Sequence, residues 1–350
     1  MLSILNLNDN EEQLLNIIQS KHIPSYRKAY SDRTAWLMAC LSELAYQPFG
    51  MIDAEAKERL LQEKLGALLK EETKEALGNI ISAISKRDED ATKQLINELS
   101  DYNITIEQTY DHEGTQALLV STDNFLALVF RGTEANCFKD IKSDLKAIKT
   151  HCATGGEIHS GFKDAFDIVE ANIQNDLNKE KYASKPLYIT GHSLGGALAT
   201  VAAKRLNHQG GIAACYTFGS PKVGNEEWSY DIKTPIYRVV NAVDCVTMVP
   251  PGGGIIILFK MVFRLIPYLG NILQKLISSF FNYHHVGDMR YLTNCKSNKY
   301  DNVKLLTAVS LPRRLYILVK SKYAKKFIKD HSISVYRKKL AIIALKRNKK

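Results

Sequence analysis

The chain has 350 residues, 45% of them hydrophobic, enough to bury a sizeable core, which excludes a disordered chain. Its formal charge of +10 is unevenly placed: residues 296–350 hold 17 Lys and Arg against two acidic residues, a net of +15, so the first 295 residues carry −5. The six cysteines, Cys40, Cys137, Cys152, Cys215, Cys245 and Cys295, are scattered without a CxxC pair, so they offer no metal or dithiol motif and read as small buried hydrophobes in a reducing compartment.

The N-terminus, MLSILNLNDNEEQ, has neither a basic region nor a long apolar stretch. No cleavable secretory signal is expected there, which suggests cytoplasmic or peripheral-membrane residence and leaves non-classical export open. Residues 1–105 read as a helical region. Ser31 to Tyr46 opens with a capping serine and runs apolar through Ala35, Leu37, Met38, Leu41, Leu44 and Ala45. Asp53 to Leu99, rich in Ala, Leu, Glu and Lys and free of Pro, predicts two or three further exposed helices.

A core over 106–295 follows. Gln116–Ser121 and Phe125–Phe130, split by Thr122, Asp123 and Asn124, have a hairpin pattern. Apolar, β-branched runs recur at Pro186–Thr190, Ile212–Phe218 and Pro235–Val240 with helical segments between them. That alternation predicts an α/β fold with a mostly parallel central sheet flanked by helices.

The segment PLYITGHSLGGALATVAAKRL sets Gly191, Ser193 and Gly195 in a GxSxG frame between an apolar strand and an Ala-rich helix. A serine on so sharp a strand-to-helix turn stands exposed as a nucleophile, and the glycines let strand and helix approach closely. The helix N-terminus then faces the charge that develops, with the N–H of Leu194 as one oxyanion donor. His192, next to the serine, points away on such a turn and reads as packing. Nucleophile, acid and base follow one another along the chain in this geometry, so the partners lie after Ser193. Asp244 follows the strand PIYRVVN at its carboxyl end; Asp231, ahead of that strand, is the weaker alternative. Three histidines remain for the base: His284, His285 and His331.

GHSLGG, with VFRGT at Val129–Thr133, HSGF at His159–Phe162 and TFGSPKVGN at Thr217–Asn225, resembles the class 3, fungal-type lipases of the α/β-hydrolase superfamily, over about residues 115–295 and in the family's order. The resemblance implies a serine ester hydrolase, a lipase or phospholipase needing no metal or organic cofactor. VNAVDCVTMVPP resembles the family's acid block and supports Asp244. HHVGDMRY resembles the block in which the catalytic histidine is followed by one residue and then Gly, which selects His285 through Gly287, with His284 as fallback. By the same resemblance Thr133 supplies a second oxyanion donor, Asp140 and Asp144 match acidic positions, and 133–158 corresponds to a lid, here a polar one. An esterase or thioesterase for small soluble substrates, and a catalytically silent membrane-binding protein, are the rival readings.

Two segments go beyond that pattern. Residues 251–283, between acid and base, are apolar, with Lys260, Arg264, Asn271 and Lys275 along one helical face and a break near Pro267. The charges and the proline argue against a spanning helix and for an amphipathic element at a membrane interface, or else a cap over the site. Residues 296–350 read as a basic helical tail whose Lys320, Lys322, Lys325, Lys326, Lys329, Arg337, Lys338 and Lys339 would favour an anionic membrane surface. No nucleic-acid-binding motif accompanies the charge, and oligomeric state is not legible.

Overall fold

The structure is a computed structural model, described over residues 6–21, 26–47, 93, 96–97, 99–100, 103–132, 149–250, 283–296, 299–320 and 329–348. In chain order it runs through helices α1 (Asp9–Lys21) and α2 (Asp32–Leu44) and strands β1 (Thr105–His112), β2 (Thr115–Ser121), β3 (Leu126–Phe130), β4 (Lys149–His151) and β5 (Glu157–His159). Helix α3 (Ser160–Leu177), β6 (Leu187–His192), α4 (Leu194–Arg205), β7 (Ile212–Phe218), the single turn α5 (Glu226–Ser229) and β8 (Ile236–Asn241) follow. The chain closes with β9 (Asp288–Leu292), β10 (Leu305–Leu306), α6 (Leu311–Lys320) and α7 (Ile333–Asn348).

Eight strands form one sheet in the order β1-β2-β3-β6-β7-β8-β9-β10. The five central strands, β3 to β9 in that order, are parallel, and the outer pairs are antiparallel. The mostly parallel, helix-flanked sheet expected from the apolar runs is what forms, and the hairpin joins Ala117–Ser121 to Leu126–Phe130 in register.

Strand periodicity sorts the core into two layers. Tyr188, Tyr216 and Val239 face one side, against Trp36 and Met38 of α2 and Tyr336 and Leu340 of α7. Leu187, Ile189 and Cys215 face the other, against Phe166 of α3 and Val201 of α4. Helix α2 begins where its capping residue says it should: the Ser31 side chain accepts from the Thr34 N–H. It is buried on nearly every side because α7 covers the face that the sheet does not.

Two residues of the expected basic tail, Arg337 and Lys339, do not face solvent. Arg337 and Lys339 are each 1% exposed. Arg337 donates to Glu11 of α1 (2.5 Å) and Glu43 of α2 (2.6 Å), and Lys339 donates to Asn241 Oδ1 (2.6 Å) and the Thr293 carbonyl (3.0 Å). Their charge is consumed inside the fold, where it ties α7 to both N-terminal helices and to the end of β8. Lys329 is exposed and Lys338 half-buried, while Lys322, Lys325 and Lys326 lie outside the described residues. So do most of Asp53–Leu99, residues 133–148 with Thr133, Cys137, Asp140 and Asp144, and 251–282 of the apolar insertion. No described helix is long and apolar enough to cross a membrane.

Candidate active site

Ser193 caps β6 with φ +57° and ψ −126°, a left-handed backbone conformation costly for a residue with a side chain. The neighbouring glycines make that turn feasible. A Cβ on Gly191 would lie 2.2 Å from the Gly195 carbonyl oxygen, and one on Gly195 would lie 2.3 Å from that of Phe130. The Ser193 N–H is held by the Phe218 carbonyl (2.9 Å), and α4 starts at Leu194, whose N–H is among the first four without an intrahelical acceptor.

Asp244 lies in the turn after β8 and is fully buried. Its carboxylate is saturated with donors: the Val246 N–H to Oδ1 (3.0 Å), the Tyr336 hydroxyl to Oδ2 (2.5 Å) and a ring nitrogen of His331, Nδ1, 3.0 Å from both oxygens. Because Nδ1 must donate to the carboxylate, Nε2 of His331 carries the lone pair. That Nε2 stands 2.9 Å from Ser193 Oγ. Serine, imidazole and carboxylate thus form one hydrogen-bonded line in the tautomer that lets the imidazole take the serine proton.

His285 does not take that place, which corrects the sequence expectation. Its Nε2 donates to the Thr247 carbonyl (2.6 Å), and burial, followed by the charges of Arg238 and Lys222, holds its pKa well below the usual histidine range. The HxG spacing that selected it serves a turn: Gly287 has φ +83°, and a Cβ there would meet the Ile236 carbonyl oxygen at 2.3 Å. His284 is exposed and joins Gly224 through its backbone N–H (2.8 Å). Asp231, the alternative acid, pairs with Lys204 at 2.6 Å on the surface.

His192 packs, as expected, and also holds the site. Its Nε2 donates to the His331 carbonyl (2.6 Å), so Nδ1 accepts from the Tyr46 hydroxyl (2.8 Å). Burial keeps this imidazole neutral, with the charge of His331 adding to the effect. Tyr46 Oη and the His192 carbonyl also crowd Gly132, where a Cβ would be 2.4 Å from each and 3.2 Å from Ser193 Cβ. The Arg131-Gly132 turn therefore lies against the nucleophile. Thr133, the proposed second oxyanion donor, follows it directly.

Sequence reasoning weighed His331 but selected His285, and it did not single out Tyr336 or Tyr46. A usable signal existed for the first: His331 is the last of the three candidate histidines, and it immediately precedes a helix with buried Ile333, Tyr336, Leu340 and Ala344 on one stripe.

Residues 127–253, which span β3, the elbow and Asp244, match the family model described as Lipase (class 3). Over this segment the chain is similar to the class 3 lipases. The secreted mono- and diacylglycerol lipase 1 of Fusarium solani is 40% identical over 102 residues, 28% of this chain and 31% of that protein. A lipase of Rhizopus niveus is 34% identical over 140 residues, 35% of this chain and 34% of the relative. The chain thus spans about a third of the length of the curated relatives it matches. Among solved structures, the lipase of Rhizopus microsporus var. chinensis is similar over 68% of this chain and 76% of its own, with a TM-score of 0.47 and 23% identity. The matched segment contains Ser193 and Asp244 but ends well before His331.

Proposed function

We propose that the protein is a serine ester hydrolase that cleaves acyl esters of lipids, with Ser193 as nucleophile, His331 as general base and Asp244 as the acid that orients it. The observation that carries this reading is the line from Ser193 Oγ to His331 Nε2 (2.9 Å) and from Nδ1 to Asp244 (3.0 Å). His331 takes the Ser193 proton as Oγ attacks the ester carbonyl, and Asp244 stabilises the imidazolium. The developing oxyanion is met by the Leu194 N–H and, by resemblance to the family, by Thr133. His331 then protonates the leaving alcohol, and water repeats the sequence on the acyl-enzyme. No step calls for a metal or organic cofactor.

The names of the relatives support acylglycerol-type substrates. The apolar, cationic pattern of 251–283 supports action at a lipid surface, with that segment as the interfacial element. Fluorophosphonate labelling tests the chemistry: the wild-type protein should be labelled and Ser193→Ala should not, and an unlabelled wild type would refute a reactive serine. For the surface, Ile257, Phe259 and Phe263 replaced together by Ser should lower liposome binding and activity on emulsified lipid while hydrolysis of a short soluble ester stays near wild type. Loss of both activities together with thermal stability would instead make the segment a cap.

A further inference from the structure

The turn after Asp244 gathers positive charge that the hydrolytic line does not use. Lys222, on the loop after β7, donates from Nζ to the carbonyls of Met248 (3.1 Å) and Pro250 (2.7 Å). Arg314 of α6 donates from Nη2 to Thr247 Oγ1 (2.5 Å), and His285 donates to the Thr247 carbonyl. Arg238 of β8 lies close enough for Lys222 and His285 to feel its charge, and it feels that of Arg314. Lys222 and Arg314 are 9% and 4% exposed.

Buried cations are ordinarily paired, because removing an ion from water without a counter-ion is costly. These have no such partner among the described residues. Asp244 acts on Arg314 but is committed to His331 and Tyr336. Asp288 acts on Arg238, but its side chain is 69% exposed and faces Arg290 at 3.7 Å. The sequence of 251–282, which follows Pro250, adds Lys260, Arg264 and Lys275 and contains no Asp or Glu. Arg238 Nε and Nη1 and Arg314 Nε are shut off from solvent without a hydrogen-bond partner. Burial, followed by the neighbouring guanidinium, pushes the Lys222 ammonium down to about 8 and Arg238 to about 10.

Two guanidinium groups with unused donors beside an ammonium are the complement of a multiply charged tetrahedral oxyanion. We propose that Lys222, Arg238 and Arg314 form a binding site for a phosphate group, as free phosphate or as the phosphomonoester of a lipid headgroup. The site adjoins the acid of the hydrolytic line: Arg314 donates to Thr247 Oγ1, which donates to the Asp244 carbonyl (2.9 Å). An occupant that fixes Arg314 therefore firms the turn bearing Asp244. Occupancy does not depend on the hydrolase reading, and it is measured on the Ser193→Ala protein, where turnover plays no part.

The test titrates inorganic phosphate into full-length protein at constant ionic strength set with chloride, following heat of binding and melting temperature. Saturable binding in the millimolar range or tighter is expected, with a rise in melting temperature that chloride does not give. Arg238→Met should lose at least tenfold in affinity and, without phosphate, melt no lower than wild type, because it removes a half-buried charge that has no counter-ion among the described residues. Arg238→Gln, which keeps donors in place, serves if the first variant does not fold. Phosphatidic acid vesicles against phosphatidylserine vesicles of equal charge separate the sources: a preference for phosphatidic acid that Arg238→Met abolishes assigns the headgroup, and a response to inorganic phosphate alone assigns the free ion. No phosphate-specific response from either source, or an Arg238→Met protein that melts well below wild type in phosphate-free buffer, would overturn the proposal, the latter by revealing an internal carboxylate partner.

Discussion

Exchange of roles between two histidines gives the sharpest test of the site. Among the described residues, His331 Nε2 is the one basic atom hydrogen-bonded to Ser193 Oγ, at 2.9 Å, so His331→Ala leaves the serine proton to bulk water. Loss of a triad base costs about 10⁵- to 10⁶-fold in kcat, equivalent to about 7–8 kcal/mol of transition-state stabilisation. The fold should tolerate the change. His192 bonds the main-chain carbonyl of residue 331, which alanine retains, and α7 stays anchored through Arg337 and Lys339. His285→Ala removes one bond to the Thr247 carbonyl and a half-buried imidazole beside cations, so activity should remain within about tenfold of wild type, by the modest net worth of one such bond. Hydrolysis of a short-chain p-nitrophenyl ester, with circular dichroism as the folding control, reads both variants. A folded His331→Ala protein that keeps a tenth of wild-type turnover, with His285→Ala inactive, would refute the assignment.

Tyr336→Phe removes a charge-assisted donor to Asp244 and the acceptor of the Asn241 N–H (3.0 Å); kcat should fall about 10- to 100-fold with a smaller change in KM, and unchanged kcat would show that the hydroxyl only fills space. Arg337→Met leaves Glu11, fully buried, without its cation, so unfolding stability by urea titration should drop about 3–5 kcal/mol, and adding Glu11→Gln should restore part of it. The pH dependence follows from His192 and His285, both held neutral by burial below the ordinary value near 6.5. The unfolded chain takes up a proton on each near that pH and the native fold does not. Stability should therefore decline as pH falls below about 6.5, by up to about 1.4 kcal/mol per pH unit for each histidine. His192→Gln, melted between pH 5 and 7, should show a shallower decline than wild type.

The elbow was legible because its information is local. Glycines two residues either side of Ser193, a strand before and a helix after encode a backbone geometry in which a Cβ at either glycine would strike main-chain atoms. Asp244 was legible for a similar reason, since strand β8 delivers it at its carboxyl end. The histidine that bonds the serine was not, because a residue 138 positions away is placed by packing and not by any local rule. The Gly287 turn misled for a physical reason: a left-handed glycine beside a strand marks that turn whether or not the neighbouring imidazole does chemistry. The antiparallel outer strands β1 and β10 escaped notice because their half-exposed residues lack the continuous apolar runs of the central strands.

The burial of Arg337 and Lys339 and the placement of His331 beside Ser193 share one origin. A count of Lys and Arg treats each charge as facing water, yet Arg337 finds its carboxylates 326 and 294 positions away, on α1 and α2. With those pairs formed, α7 lies across α2, and His331, two residues ahead of it, stands beside the elbow serine. Tyr336, one turn along the same helix, reaches Asp244 from the same direction, while Tyr46, just past the end of α2, braces His192 against the carbonyl of His331. Both ends of the chain thus contribute to a site whose nucleophile and acid sit in its middle. Geometry at Ser193 is consequently coupled to contacts more than ten residues into either terminus, and a perturbation confined to the α1–α7 pairing would reach the chemistry through the position of one imidazole.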